Sequence, residues 1–206
     1  MKERILSLLI GYILGSVLTA EIIVRGKTGR PASEFGSGNP GMANVMRVFG
    51  FRTGIAVLAG DLLKTVAASL LSCLLFPSQG QILVLYAGLG AVIGHNWPLW
   101  NRLKGGKGVA VSCMAIFLFS PLWGLIADAA GMLVVLFTGY LPLGAVVITT
   151  LYAVFAILFL GREAAVLSVI LALIMFQRHY PGLVRVMRGE ERRNAQLFNR
   201  NKAGKL

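Results

Sequence analysis

The chain has 206 residues, of which 56% are hydrophobic and only 14% are charged, whereas a soluble domain carries about 25% charged residues. A mean hydropathy of +0.75 places the chain in the membrane class and excludes an ordinary soluble fold. The net charge of +12 is typical of cationic loops at a cytoplasmic membrane face, so we expect no nucleic-acid partner. The length allows one polytopic membrane domain, predicted over residues 1–190, with a basic tail over residues 191–206.

Seven apolar segments predict an all-α integral membrane protein, because a membrane-spanning helix needs about 20 mostly apolar residues. The first segment is too long for a signal peptide and has no clear cleavage site before a soluble domain. The fourth segment is short, so six spans with one re-entrant segment form the alternative. The segments lie roughly at 5–24, 54–76, 82–100, 108–120, 122–139, 141–160 and 163–177.

Most of the 20 lysines and arginines lie in alternate connections: the loop after the first helix, the loop after the third, and the C-terminal tail. The connections around residues 77–80 and 120–124 carry no cation. Because cytoplasmic loops are enriched in Lys and Arg, we expect the N-terminus outside and the C-terminus in the cytoplasm. Lys2 and Arg4 oppose this orientation, and Glu3 offsets them in part.

The first cationic loop, about residues 25–53, contains the run GSGNPGMANVMR over residues 36–47. Its glycines let the backbone approach a ligand, and successive N–H groups in such a turn can form an anion nest. Ser37 and Asn39 add polar groups, and Arg47 adds a planar cation that suits phosphate. The run predicts an anion site, although a plain Gly/Ser turn has the same composition.

Asp61 and Lys64 lie one turn apart inside the second apolar segment. Charges within a membrane span are costly and usually pair inside the helix bundle. The spacing favours a structural pair that holds this helix against the loop motifs, with a proton path as the alternative.

The second cationic loop carries the densest polar stretch, GHNWPLWNRLKGGKGVA over residues 94–110. A nucleotide P-loop is excluded, because the lysine of its GK pair must be followed by Ser or Thr and Lys107 is followed by glycine. An acyltransferase box with aspartate five positions after histidine is also excluded, because Trp100 stands at that offset from His95. What remains is an anion site in which Lys104 and Lys107 flank flexible backbone at the start of a helix.

The two histidines, His95 and His179, both fall on the predicted cytoplasmic side with the loop cations. His95 is either a structural histidine at a helix end or a general base. His179 stands at the start of the polar tail. This grouping predicts a site that joins a phosphorylated, water-soluble substrate to a lipid-soluble one. Cys73 and Cys113 lie far apart in apolar runs, which gives no metal-ligand spacing.

Together these motifs resemble those of the bacterial acyl-phosphate:glycerol-3-phosphate acyltransferases, the PlsY family, from the first helix to about Glu191. A family motif like SGNxGATNxxR is matched by residues 37–47, and one like GHxFPxxxxFKGGKGVA by residues 94–110. A third family motif, a TG segment followed by aspartate and lysine, is matched by Thr53-Gly54 with Asp61 and Lys64. A fourth, a histidine followed downstream by RLxxGxE, is matched by His179 and residues 185–191.

The resemblance implies a membrane enzyme of phospholipid synthesis that transfers a fatty acyl group from acyl phosphate to the 1-hydroxyl of glycerol 3-phosphate. The products are lysophosphatidic acid and phosphate, the site lies on the cytoplasmic side of the bacterial inner membrane, and neither metal nor cofactor is implied. The implied catalytic residues are Ser37, Arg47 and His179. The implied substrate-binding residues are Gly38, Asn39, Gly41, Asn44, Lys104, Gly105, Gly106, Lys107 and Gly108. The implied structural residues are His95, Asp61, Lys64 and Glu191.

Three positions depart from the family pattern: Ala43 replaces the usual threonine, Pro142 a serine and Gly182 an asparagine. Each change removes a polar group, and one hydrogen bond to a charged group contributes about 1.5–3 kcal/mol. The departures favour a divergent paralogue with another phosphorylated acceptor as one alternative. A catalytically impaired membrane protein that binds lipid phosphate or regulates an active copy is a second, and a small transporter of phosphorylated solutes is a third.

Overall fold

The computed structural model describes residues 1–193, which form nine α-helices and no strand. This confirms the predicted all-α class. The chain divides into two compact units, Met1–Ala115 and Ile116 onward, and the boundary falls inside the sixth helix. The single polytopic domain over residues 1–190 stays a prediction, and most of the predicted tail, residues 194–206, lies outside the described part.

The first unit contains five complete helices, three short 3-10 turns and the start of a sixth helix. They are α1 Lys2–Gly15, α2 Thr19–Thr28, the turn Ala32–Glu34, α3 Met42–Phe49, α4 Phe51–Leu75, the turn Pro77–Gln79, α5 Ile82–Asn96, the turn Leu99–Asn101 and α6 Val109–Phe119. The second unit contains the end of α6, then α7 Pro121–Thr138, α8 Leu141–Phe155 with the π-helical turn Ala156–Leu160, and α9 Arg162–Met187.

Six helical segments of the described chain are long and apolar enough to cross a membrane. They are Lys2–Thr28, Phe51–Leu75, Ile82–Asn101, Pro121–Thr138, Leu141–Leu160 and Arg162–Met187. Each corresponds to a predicted segment. The fourth predicted segment is α6, an apolar helix of 11 residues. A count of seven spans and the orientation in the membrane therefore stay predictions.

The first span differs from the prediction because its helix is broken between Gly15 and Thr19. A break leaves carbonyl groups without helical partners, and in a membrane these must be satisfied inside the protein. The ammonium of Lys64 donates to the carbonyl oxygen of Val17 at 2.9 Å. Hydropathy alone predicted one continuous helix, because it does not register a partner from a distant part of the chain.

The last helix also differs, because α9 continues to Met187 and so passes the predicted end at residue 177. Pro181 lies inside α9. Proline removes one backbone hydrogen bond, but membrane helices tolerate this where neighbouring groups compensate. His179 therefore lies within a helix, and its predicted place at the start of a tail is wrong.

The pair α1 and α5 packs through glycines, with backbone against backbone. A Cβ on Gly11 or Gly15 would overlap with the main chain of α5, and a Cβ on Gly90 or Gly94 would overlap with the main chain of α1. Small residues allow such close approach, and dispersion contacts replace the hydrophobic driving force that lipid does not supply. The second cationic loop begins at the end of α5 in this pair, whereas the first cationic loop begins after α2.

Replacing Gly15 with alanine is expected to lower the free energy of unfolding by about 1–3 kcal/mol, because the new Cβ would overlap with the Ala91 carbonyl oxygen. Thermal unfolding of the protein in detergent measures this loss. Gly26→Ala is the matched control, since Gly26 is also helical and has nothing within 4 Å of its ideal Cβ position. Equal melting temperatures for the two variants would contradict the packing described for α1 and α5.

Candidate functional site

The loop before α3 is held by the side chain of Asn44, which is 4% exposed. Its Oδ1 accepts hydrogen bonds from the amide N–H of Ser37 at 2.8 Å and from Nη2 of Arg47 at 3.1 Å. Its Nδ2 donates to the carbonyl oxygen of Phe35 at 2.9 Å. One buried amide thus joins the two candidate catalytic residues of this motif, and the side chains of Ser37 and Arg47 are both exposed.

Position 36 requires glycine for two reasons, its backbone conformation and the lack of space for a side chain. Gly36 has a φ of +60°, where a side chain is strained, and a Cβ there would overlap with Oδ1 of Asn44. The N–H groups of Gly38 and Gly41 donate within the loop, to Phe35 and Asn39 respectively. Three N–H groups of the loop, those of Ser37, Gly38 and Gly41, therefore already have partners, and the predicted anion nest stays a prediction.

The helix α3 was not predicted, and it presents Arg47. It packs on α2 and α4 through a buried apolar cluster, which orients it despite its length of 8 residues. The cluster consists of Ala20, Val24, Ala32, Val45 and Val57, with Ile23, Phe35, Met42 and Phe49 at its edge. A helix this short is marginal alone, so tertiary packing and not propensity decides that it forms.

The glycine loop, residues 104–108, folds back on the end of α5. The N–H of Gly105 donates to the Asn96 carbonyl at 3.2 Å, and the N–H of Gly106 donates to the His95 carbonyl at 3.0 Å. A Cβ on Gly105 would overlap with the His95 carbonyl oxygen, and one on Gly106 with the His95 imidazole. The predicted flexible backbone is therefore wrong: these glycines are buried and closely packed.

Two cations flank this packed loop, as the sequence predicted. Lys104 is exposed, whereas Lys107 is partly buried. Before them, Arg102 and Leu103 have left-handed φ values of 54° and 59°, which non-glycine residues rarely adopt. A rigid turn that presents a cation before a helix N-terminus can bind an anion with little loss of backbone entropy.

Under the glycine loop, Asp61, Lys64 and His95 form a buried polar cluster. The predicted pair is present, with Lys64 Nζ 2.8 Å from Asp61 Oδ1. The same ammonium lies 2.9 Å from His95 Nδ1, and Thr19 Oγ1 donates to Asp61 Oδ1 at 3.3 Å. The cluster thus connects α2, α4 and α5, and it reaches the glycine loop through His95.

Two further residues near the loop were missed in the sequence. Tyr12 Oη donates to the Trp97 carbonyl at 2.9 Å and accepts the Leu99 N–H at 3.2 Å, which anchors the start of the second cationic loop on α1. Asn96 is fully buried, and neither of its side-chain amide atoms has a hydrogen-bond partner in the described structure. No spacing in the sequence singles out Tyr12. Asn96 lies inside the 94–110 motif, but nothing in the sequence distinguishes it there.

The second unit contains His179, which is 2% exposed. Its Nδ1 lies 3.0 Å from the Met175 carbonyl oxygen. A carbonyl only accepts hydrogen bonds, so Nδ1 carries the proton and, in the neutral ring, Nε2 is the basic nitrogen. His179 therefore has the tautomer that a general base acting through Nε2 needs.

Glu191 and two departures from the family pattern also lie in the second unit. Arg185 Nε lies 2.6 Å from Glu191 Oε2, and the Glu191 N–H donates to the Arg185 carbonyl, so Glu191 caps the end of α9. Pro142 and Gly182 are both buried. A Cβ on Gly182 would lie 2.7 Å from Cγ of Pro142, so the two departures pack directly against each other.

This contact predicts that the two positions are coupled. Gly182→Ala alone is expected to destabilise the protein by about 1–3 kcal/mol, because its Cβ would crowd the Pro142 ring. In the Pro142→Ser background that ring is absent, and the penalty is expected to fall by about 1 kcal/mol or more. Thermal unfolding of wild type, both single variants and the double variant gives the coupling. Strictly additive effects would contradict it.

The comparisons with known proteins agree with these motifs. The family model described as glycerol-3-phosphate acyltransferase matches residues 5–189. Glycerol-3-phosphate acyltransferase 1 of Lactobacillus johnsonii is 37% identical over 191 residues, which cover 93% of this chain and 92% of the relative. The glycerol-3-phosphate acyltransferase of Shouchella clausii is 36% identical over 194 residues, which cover 91% of this chain and 94% of the relative.

Solved structures show the same likeness in three dimensions. The crystal structure of PlsY, an integral membrane glycerol 3-phosphate acyltransferase, in its glycerol 3-phosphate form matches with a TM-score of 0.84 and 28% identity. That match covers 94% of this chain and 96% of the other. The lysophosphatidic acid form matches with a TM-score of 0.81 over 92% of this chain and 94% of the other, at 27% identity. The chain therefore belongs to the glycerol-3-phosphate acyltransferase family.

Proposed function

We propose that the protein is a membrane acyltransferase that moves a fatty acyl group from acyl phosphate to the 1-hydroxyl of glycerol 3-phosphate. The match to the family over residues 5–189 carries this proposal. A structural relative crystallised in a glycerol 3-phosphate form and in a lysophosphatidic acid form supports the acceptor and the product. The bilayer supplies the acyl substrate and receives the product.

The proposed reaction needs mainly that the two substrates are oriented and that the negative charge of their phosphate groups is neutralised. The acceptor hydroxyl oxygen attacks the acyl carbonyl carbon, the new ester C–O bond forms, and the bond to phosphate breaks with phosphate leaving as an anion. Because phosphate is a good leaving group, positioning and electrostatic stabilisation dominate catalysis. Arg47 and Lys104 are exposed cations of the first unit, and we propose that they bind the phosphate groups of the two substrates.

We propose catalytic roles for Ser37 and His179 on separate grounds. The backbone of Ser37 is held by Asn44 while its hydroxyl stays exposed, which suits a hydrogen bond to substrate. His179 presents Nε2 as its basic nitrogen, which suits acceptance of the hydroxyl proton. Gly38, Asn39, Gly41 and the glycine loop are proposed to shape the substrate contacts.

We further propose that the protein is a multi-pass protein of the bacterial inner membrane with its site on the cytoplasmic side. The cationic loops and the bacterial sources of the relatives support this placement.

Purified protein supplied with acyl phosphate and glycerol 3-phosphate is the direct test. We expect lysophosphatidic acid and phosphate in equal amounts, and no product when either substrate is omitted. No transfer to any phosphorylated alcohol would overturn the proposal.

A second acceptor is a specific alternative, because Pro142 and Gly182 form an apolar contact where the family pattern has two polar residues. A competition assay with other phosphorylated alcohols examines it. Product from another alcohol and none from glycerol 3-phosphate would establish a different acceptor within the same reaction class.

A further inference from the structure

The ammonium of Lys64 has three acceptors around it, from three different parts of the first unit. They are Asp61 Oδ1 at 2.8 Å, the Val17 carbonyl oxygen at 2.9 Å and His95 Nδ1 at 2.9 Å. An ammonium has three N–H donors and no acceptor. All three donors are therefore used, and Nδ1 of His95 must accept.

This arrangement determines where His95 carries its proton. Since Nδ1 accepts a hydrogen bond, the ring is neutral and its proton is on Nε2. The Nε2 edge lies against Gly106, so closely that a Cβ on Gly106 would overlap with it. The His95 carbonyl also accepts the N–H of Gly106 at 3.0 Å. Ring and backbone of His95 thus both support the glycine loop.

Asp61 would impose the opposite tautomer if Lys64 were absent. Its Oδ1 lies 3.7 Å from Nδ1 of His95, within reach of a direct bond after a small shift. A buried carboxylate beside an imidazole draws the ring proton to the facing nitrogen or charges the ring. Lys64 lies between Asp61 and His95 and donates a hydrogen bond to each. The ring proton of His95 therefore stays on Nε2, which faces the glycine loop.

We propose that Lys64 is a positioning residue for the glycine loop: it holds His95 as the Nε2–H tautomer, whose ring supports Gly106. The consequence for catalysis depends on the proposed function, in which Lys104 of this loop binds a substrate phosphate, and we assign to it the phosphate of acyl phosphate. Lys64 then acts on acyl phosphate binding although its own ammonium is buried below the loop. The same tautomer excludes His95 as a general base at Nε2, the alternative that the sequence left open.

Nitrogen-15 NMR of histidine-labelled protein tests the tautomer directly. The chain has two histidines, and loss of signals in His95→Asn identifies those of His95. In the wild type we expect a protonated Nε2 and an unprotonated Nδ1. A protonated Nδ1 in the wild type would overturn the proposal, and this measurement needs neither turnover nor a Lys64 variant.

Three variants test the role of Lys64. In Lys64→Met we expect the proton on Nδ1, and a KM for acyl phosphate raised about tenfold or more while kcat changes less. In Asp61→Asn/Lys64→Met the carboxylate that draws the proton is gone, so the Nε2–H tautomer and most of the acyl phosphate affinity should return. Lys27→Met is the matched control, since Lys27 binds Thr53 at 2.9 Å in the same unit, and it should change neither the tautomer nor KM.

The outcomes separate the inference from the proposed function. An unchanged tautomer in Lys64→Met, a ring protonated on both nitrogens, or a shifted tautomer with an unchanged KM overturns the positioning role, because Nε2–H would then not depend on Lys64 or would not matter for binding. A double variant as impaired as Lys64→Met also overturns it, because Lys64 would then serve only to tie the helices together. Absence of acyl transfer in the wild type overturns the function alone, since the NMR experiment still decides the tautomer.

Discussion

Replacing Arg47 with alanine is expected to lower kcat/KM for acyl transfer by a factor of about 10²–10⁴. Arg47 can donate two charge-assisted hydrogen bonds to a substrate phosphate, each contributing about 1.5–3 kcal/mol. Because Arg47 is exposed, the loss should affect turnover and not folding. Arg47→Lys keeps the charge but not the planar fork, so an intermediate rate is expected. Steady-state kinetics with acyl phosphate and glycerol 3-phosphate give these ratios.

The control for Arg47 is Arg52→Ala. Arg52 is also an exposed cation of the first cationic loop, and it lies in the first turn of α4. Removing its charge should change kcat/KM by less than about threefold, because an exposed charge without a substrate contact contributes little. If both variants lost activity equally, net charge near the membrane would explain the effect, and the site assignment of Arg47 would be wrong.

Replacing Gly106 with alanine is expected to lower kcat/KM by about 100-fold or more. The new Cβ would overlap with the His95 imidazole, so the loop must move away from α5 and carry Lys104 with it. A displacement of about 1 Å in a substrate-positioning group can cost about 100-fold in rate. The crowding should also lower the free energy of unfolding by about 1–3 kcal/mol.

Initial rates and thermal unfolding of Gly106→Ala, measured on one preparation, separate the two effects. Gly26→Ala again serves as the control, because its Cβ has open space. A Gly106→Ala enzyme with the wild-type rate would show that the packing of the loop on His95 has no bearing on turnover.

Much of the fold could be predicted from hydropathy, because the free energy of transferring a segment into lipid is approximately a sum over its consecutive residues. The predicted segments at 82–100 and 141–160 correspond closely to the spans Ile82–Asn101 and Leu141–Leu160. The break before Thr19 and the extension of α9 past Pro181 could not be predicted in this way. Both depend on which groups satisfy the backbone, and those groups come from elsewhere in the structure.

For the candidate site, residue types and spacing identified the two loops of the first unit but not how each is held. Arg47 was predicted as a phosphate ligand, whereas the bond that orients it comes from Asn44, which was assigned to substrate. The glycines of residues 104–108 were predicted to be flexible, and they are instead packed on His95. Composition shows which residues can bind an anion, but only contacts show which backbone groups are already bonded.

The sequence by itself determined the membrane class, the order of the long apolar segments, the paired charges in α4 and the family motifs, because these follow from hydrophobicity and spacing along the chain. Only the tertiary structure decided that Lys64 separates Asp61 from His95, and that Pro142 fills the space beside Gly182. These contacts join residues far apart in sequence. The proton position on His95 and the crowding at Gly182 depend on distances of about 3 Å, which no pattern along one chain specifies.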